Sequence, residues 1–102
     1  MNIHLEGKDI ELKYTFRSMI IYEKIMGQSF SPKGITEILV YFYSTILASN
    51  KDVTLTYESF IDWLDENPAY LTEFSQWLNN TLSRNSYISQ VEESEVDPKK
   101  AL

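Results

Sequence analysis

Apolar and polar residues alternate from the first positions of the chain. Ile3 and Leu5 stand against Asn2, His4 and Glu6; after Gly7, Ile10, Leu12 and Tyr14 stand against Asp9, Glu11 and Lys13. Two runs of period two around a turn at Glu6-Gly7-Lys8-Asp9 predict a β-hairpin over about 2–14 with one buried face. A lone hairpin is marginal in water, so that face must rest on other elements. His4, the only histidine, has the outward parity of a surface residue.

From Phe16 the period becomes helical. Thr15 is placed to cap a helix over 16–26, with Gly27 as its left-handed stop. Phe16, Met19, Tyr22 and Met26 share one face, whereas Ile20 and Ile21 fall outside it, near Arg17 and Lys24. Either this helix is sandwiched between hairpin and core and buries two faces, or the misfit residues form a partner-binding patch. Glu23 falls within the apolar face and needs a hydrogen-bond donor or a rim position.

Gly34 to Ala48 is apolar almost all round, which predicts the central helix (35–48) that the other elements pack against. Ile35, Ile38, Leu39, Phe42 and Ile46 make one stripe; Val40, Tyr43 and Leu47 make a second. Glu37 and Ser44, flanked by Thr36 and Thr45, leave a narrow polar strip on which Tyr41 also falls.

A third helix over 57–66 is announced by Thr56 as cap, with Leu55 and Phe60 spaced as a hydrophobic staple. Asn67-Pro68 opens a fourth over 68–83, with Asn67 as its cap. Past Arg84 the pattern collapses, which predicts a disordered or loosely docked tail over 85–102. The fold class is therefore mainly α (α+β): an N-terminal β-hairpin, then four helices within a single domain over 1–84, then a flexible C-terminal tail. The predicted core is Phe16, Met19, Ile38, Leu39, Phe42, Ile46, Phe60, Leu64, Phe74 and Trp77.

Composition narrows the function. A chain of 102 residues with 43% apolar content suffices for one domain with its own core. The absence of cysteine removes disulfides and thiolate-bound metals. A net charge of −6, from 15 acidic and 9 basic residues, argues against a nucleic-acid partner. No leader-like or membrane-length apolar run is present, which predicts a cytosolic protein without a membrane partner.

Glu58, Asp62, Asp65 and Glu66 lie on one side of the third helix. They read as a solvated face, because hard-cation loops and glycosidase pairs need convergence in a loop or cleft. There is no phosphate-binding glycine loop, nucleophile elbow or HExxH motif. Neither catalysis nor a cofactor is predicted.

Several stretches together resemble the tail assembly chaperones of long-tailed, siphovirus-type bacteriophages and prophages. They are the N-terminal strand pair, YTFRSMIIYEKIMGQSF (14–30), GITEILVYFYSTILAS (34–49) and LTYESFIDWLDENP (55–68). Phe16, Glu23 and Gly27-Gln28-Ser29 match the aromatic, glutamate and G-x-S stop of that family. Met26 and Gln28 depart from its usual threonine and lysine. The resemblance covers about residues 1–82.

It implies a non-enzymatic protein of the bacterial host cytoplasm, absent from the mature virion. Such a protein coats the long helical tape measure protein before the tail tube polymerises around it. The partner-binding candidates are Ile20, Ile21 and Tyr41, chosen because they fit no core face. The resemblance also allows a longer frameshift product, through which the tail tube protein would be contacted. Pro98-Lys99-Lys100 is a candidate site, since CCA AAA AAG contains a slippery heptamer. The hairpin edge invites a second copy, which leaves a homo-oligomer open.

Two other classes compete. A small acidic helical adaptor or antitoxin-like bacterial protein would have similar composition and different gene neighbours. An enzyme using Asp62, Asp65 and Glu66 would gain melting temperature from added Mg²⁺ or Ca²⁺.

Overall fold

The computed structural model describes the backbone of residues 1–96 and the side chains of residues 1–84. An antiparallel hairpin of β1 (Asn2–Leu5) and β2 (Lys8–Glu11) precedes four helices: α1 (Phe16–Met26), α2 (Ile35–Ser49), α3 (Tyr57–Glu66) and α4 (Ala69–Val96). The architecture is the predicted one.

The hairpin pairs Ile3 with Ile10 and closes at Leu5 and Lys8. Its loop is therefore Glu6-Gly7, one residue earlier than the centre of the predicted turn. Both residues have positive φ, 52° and 78°, as a type I′ turn requires to match the strand twist. The alternation was read in the right phase: Ile3, Leu5, Ile10 and Leu12 are all buried. The His4 N–H donates to the Tyr70 hydroxyl at 3.3 Å, and the Lys13 N–H to Ser49 Oγ at 3.2 Å. These bonds fasten the hairpin to α4 and α2.

α1 begins as predicted. Ser18 N–H donates to Thr15 Oγ1 at 3.1 Å, and Thr15 N–H donates back to Ser18 Oγ at 3.3 Å, a reciprocal cap. It ends at Gly27, whose φ of 68° is left-handed. The predicted polar partner of Glu23 is found in the following loop, where the Phe30 N–H donates to its carboxylate at 2.6 Å. That bond folds the loop back and inserts the Phe30 ring against Tyr22 and Tyr41, at 5.3 and 4.8 Å between centroids.

α2 is the central helix. Glu37 reaches back to accept the Gly34 N–H at 2.6 Å, closing the first turn. Phe42 is fully buried and stacks on Phe74 of α4, with centroids 4.2 Å apart and planes 8° from parallel. It also meets Phe60 and Trp63 of α3 at 5.2 and 6.1 Å, edge to face. Such pairs contribute about 0.5–1.5 kcal/mol each beyond area burial. One side chain thus joins three helices.

α3 starts at Thr56, whose Oγ1 accepts the Ser59 N–H at 3.1 Å, with the staple residues Leu55 and Phe60 both buried. Tyr43 of α2 donates its hydroxyl to the Leu55 carbonyl and holds the α2–α3 linker down. Asn67 behaves differently from the expectation. Its amide nitrogen donates to the Trp63 carbonyl at 2.8 Å, so the side chain finishes α3, and only its backbone carbonyl receives an N–H from α4, that of Tyr70.

Of the predicted core, Phe42, Ile46, Phe60, Leu64 and Phe74 are buried. Met19, Ile38, Leu39 and Trp77 are half-buried against them. Phe16 is exposed, a correction explained below. α4 continues to Val96, beyond the predicted end at 83. No glycine or proline interrupts residues 84–96, so the backbone continues helically where the apolar period has stopped. Pro98-Lys99-Lys100 lies outside the described residues.

Candidate functional site

The α1–α2 contact determines which faces stay available. Ser18 and Tyr22 form the buried line of α1. Ser18 Oγ donates to the Thr15 carbonyl at 2.6 Å and lies 2.9 Å from the Tyr41 hydroxyl, inside the protein. Tyr22 and Tyr41 meet edge to face at 6.1 Å. With Ser18 facing α2, the wheel carries Phe16 and Ile20 to the far side of α1.

Tyr41 is consequently not a contact residue. The strip on which it lies was read as polar, yet Tyr41, Ser44 and Thr45 are all fully buried. A helix can bury hydroxyls at small cost when each returns a hydrogen bond to its own previous turn. Ser44 Oγ donates to the Val40 carbonyl and Thr45 Oγ1 to the Tyr41 carbonyl, both at 2.7 Å. Burial pushes the Tyr41 phenol above its ordinary range, and the Ser18 hydrogen bond partly opposes that shift.

The other two candidates divide. Ile20 is 53% exposed, and Ile21 is half-buried. Beside Ile20, one turn earlier, Phe16 is 82% exposed. Phe16, expected in the core because it shares a face with Met19, Tyr22 and Met26, is corrected to the surface. The outward face of α1 is thus an apolar pair, Phe16 and Ile20, with Arg17 and Lys24 exposed along one side.

A second apolar surface was missed. Ile35 shares the apolar stripe of Ile38, Leu39, Phe42 and Ile46 but stands in the first turn of α2 and is 59% exposed. It opens a groove of about 250 Å³ between α2, α3 and α4, lined also by Leu39, Ile61, Leu64 and Leu71, with Asp65 at its edge. Glu58, Asp62 and Asp65 lie at i, i+4 and i+7 on α3 and are exposed, as the solvated-face reading required. The only ion pair among the described residues is His4–Asp9, 2.9 Å apart on the surface of the hairpin.

Among the described residues, no group of three His, Asp or Glu side chains is placed to hold a metal ion. Nor is any described helix long and apolar enough to cross a membrane. No protein-family model, curated protein or solved structure matches the chain.

Proposed function

We propose that the chain is a non-enzymatic tail assembly chaperone that keeps a tape measure protein soluble in the bacterial cytoplasm until the tail tube closes around it. The reading rests on the sequence resemblance over residues 1–82. One structural observation carries it further: Phe16 and Ile20 form an exposed apolar pair on a well-capped helix. An aromatic and an aliphatic anchor one turn apart suit an apolar stripe on a long partner helix.

Tyr41 acts indirectly, by fixing the rotation of α1 through Ser18. The net charge of −6 would keep a partner coated with many copies in solution. Co-expression with the long helical protein encoded beside it tests the reading. A soluble complex with many copies of this chain per partner is the expected result. A partner that stays insoluble, or no such neighbouring gene, would contradict it.

A further inference from the structure

We propose that the outer edge of β2 is a docking site for an extended, basic segment of another protein, which adds to the hairpin as a third strand. Within the hairpin, Ile3 pairs with Ile10 and Leu5 with Lys8, and the Leu12 N–H donates to the Met1 carbonyl at 2.7 Å. These bonds use every second residue, so Asp9 and Glu11 turn their backbone N–H and C=O groups away from β1. On β1 the equivalent edge is closed, because the His4 N–H donates to the Tyr70 hydroxyl of α4. On β2 it is open. Among the described residues nothing bonds to the backbone of Asp9 or Glu11 on that side, and both residues are exposed.

The character of this edge indicates what it takes. A two-stranded sheet is marginal and gains from a third strand. β2 has no proline, and its register with β1 runs through four pairs without a bulge, so pairing is not blocked sterically. Its charge is of one sign. In the antiparallel register that uses both residues, a second copy of β2 would set Asp9 against Glu11 twice, and like charges directly opposite destabilise a pair. Lysine or arginine at those places would be attracted. The edge thus selects against its own copy and for a basic strand.

Antiparallel addition also sets the spacing of the partner. Its residues opposite Asp9 and Glu11 are two apart, about 6.8 Å along the strand, and exchange backbone hydrogen bonds with them. The residue between them falls beside Ile10, which is buried, and is therefore aliphatic. The recognised unit is basic–aliphatic–basic in extended form. His4 already meets Asp9 at 2.9 Å from the β1 side, whereas Glu11 has no ionic partner among the described residues and is the stronger anchor. This docking involves neither Phe16 nor Ile20 and does not depend on the chaperone reading.

Amide hydrogen exchange, followed by nuclear magnetic resonance, tests it with three blocked hexapeptides. One alternates lysine and valine, one alternates glutamate and valine, and the third is the lysine–valine peptide with a backbone N-methylated to block strand pairing. The first should slow exchange of the Asp9 and Glu11 amides, about tenfold at a concentration about ten times its Kd. The methylated peptide keeps the charges and should give no protection; the glutamate–valine peptide should not bind. Asp9→Lys/Glu11→Lys, both at exposed positions, should keep native circular dichroism and bind the glutamate–valine peptide instead. Unprotected Asp9 and Glu11 amides at millimolar lysine–valine peptide, equal protection by the methylated peptide, or a double variant that still prefers lysine–valine would each overturn the proposal.

Discussion

Ser18 Oγ and the Tyr41 hydroxyl lie 2.9 Å apart in the interior, and this bond sets the rotation of α1 on α2. Everything on the outward face of α1 follows from it. Ser18 is also half of the reciprocal cap with Thr15. Ser18→Ala should therefore cost more than Tyr41→Phe: about 1–3 kcal/mol against about 0.5–1.5 kcal/mol. A buried phenol loses its partner in the first variant, whereas in the second Ser18 keeps the Thr15 carbonyl. Urea unfolding of both singles and the double should give a coupling energy, and strict additivity would mean that the bond contributes nothing.

The ring of Phe42 stacked on Phe74 predicts where the fold is least tolerant. Phe74→Ala should cost about 3–5 kcal/mol, a large share of a small domain's stability. Phe42→Asp should not fold at all, because an unpaired carboxylate would enter the space between three helices. A monodisperse Phe42→Asp protein with native circular dichroism would refute that placement.

Alkaline pH should unfold the protein earlier than a domain with exposed tyrosines. Burial raises the phenols of Tyr22, Tyr41, Tyr43 and Tyr57 above 10.0. Above that value the unfolded chain releases protons that the folded chain retains. The stabilisation is thus complete below 10.0 and is lost as pH rises through the raised folded values. Urea midpoints should fall above pH 10.0, and less steeply for Tyr41→Phe; equal slopes would assign the effect to the other three rings.

The hairpin loop offers a gain. Glu6 adopts a φ of 52° next to Gly7 at 78°, and the first of these suits asparagine better than glutamate. Glu6→Asn should stabilise the protein by some tenths to about 1 kcal/mol. A lower melting temperature would mean that the loop is not of this type. Gly27→Ala, at a φ of 68°, should cost about 1 kcal/mol in the same assay.

Local signals in the sequence carried the architecture. The Thr15 and Thr56 caps, the Gly27 stop, the Leu55–Phe60 staple and the hairpin phase all depend on residues within a few positions of one another. Failures came where the outcome depended on a neighbouring helix. Ser44 and Thr45 look wettable on a wheel, but each returns a hydrogen bond to its own helix and can be buried. Phe16 and Ile35 look like core residues, but the rotation set by Ser18–Tyr41 turns Phe16 outward, and Ile35, on the Phe42 stripe, stands in the first turn of α2 and stays exposed. Of the candidate site, Ile20 was legible because it fitted no apolar face; Phe16 was hidden because it shares one with Met19, Tyr22 and Met26.

Co-expression of the neighbouring long helical protein with the wild-type chain or with Phe16→Asp/Ile20→Asp probes the α1 face itself. Both positions are exposed, so the variant should keep its native stability to within about 0.5 kcal/mol. Wild type should bring the partner into the soluble fraction, and the variant should leave it in the pellet. A partner equally soluble with both would contradict the role assigned to the α1 face, and one soluble with neither would contradict the chaperone reading itself.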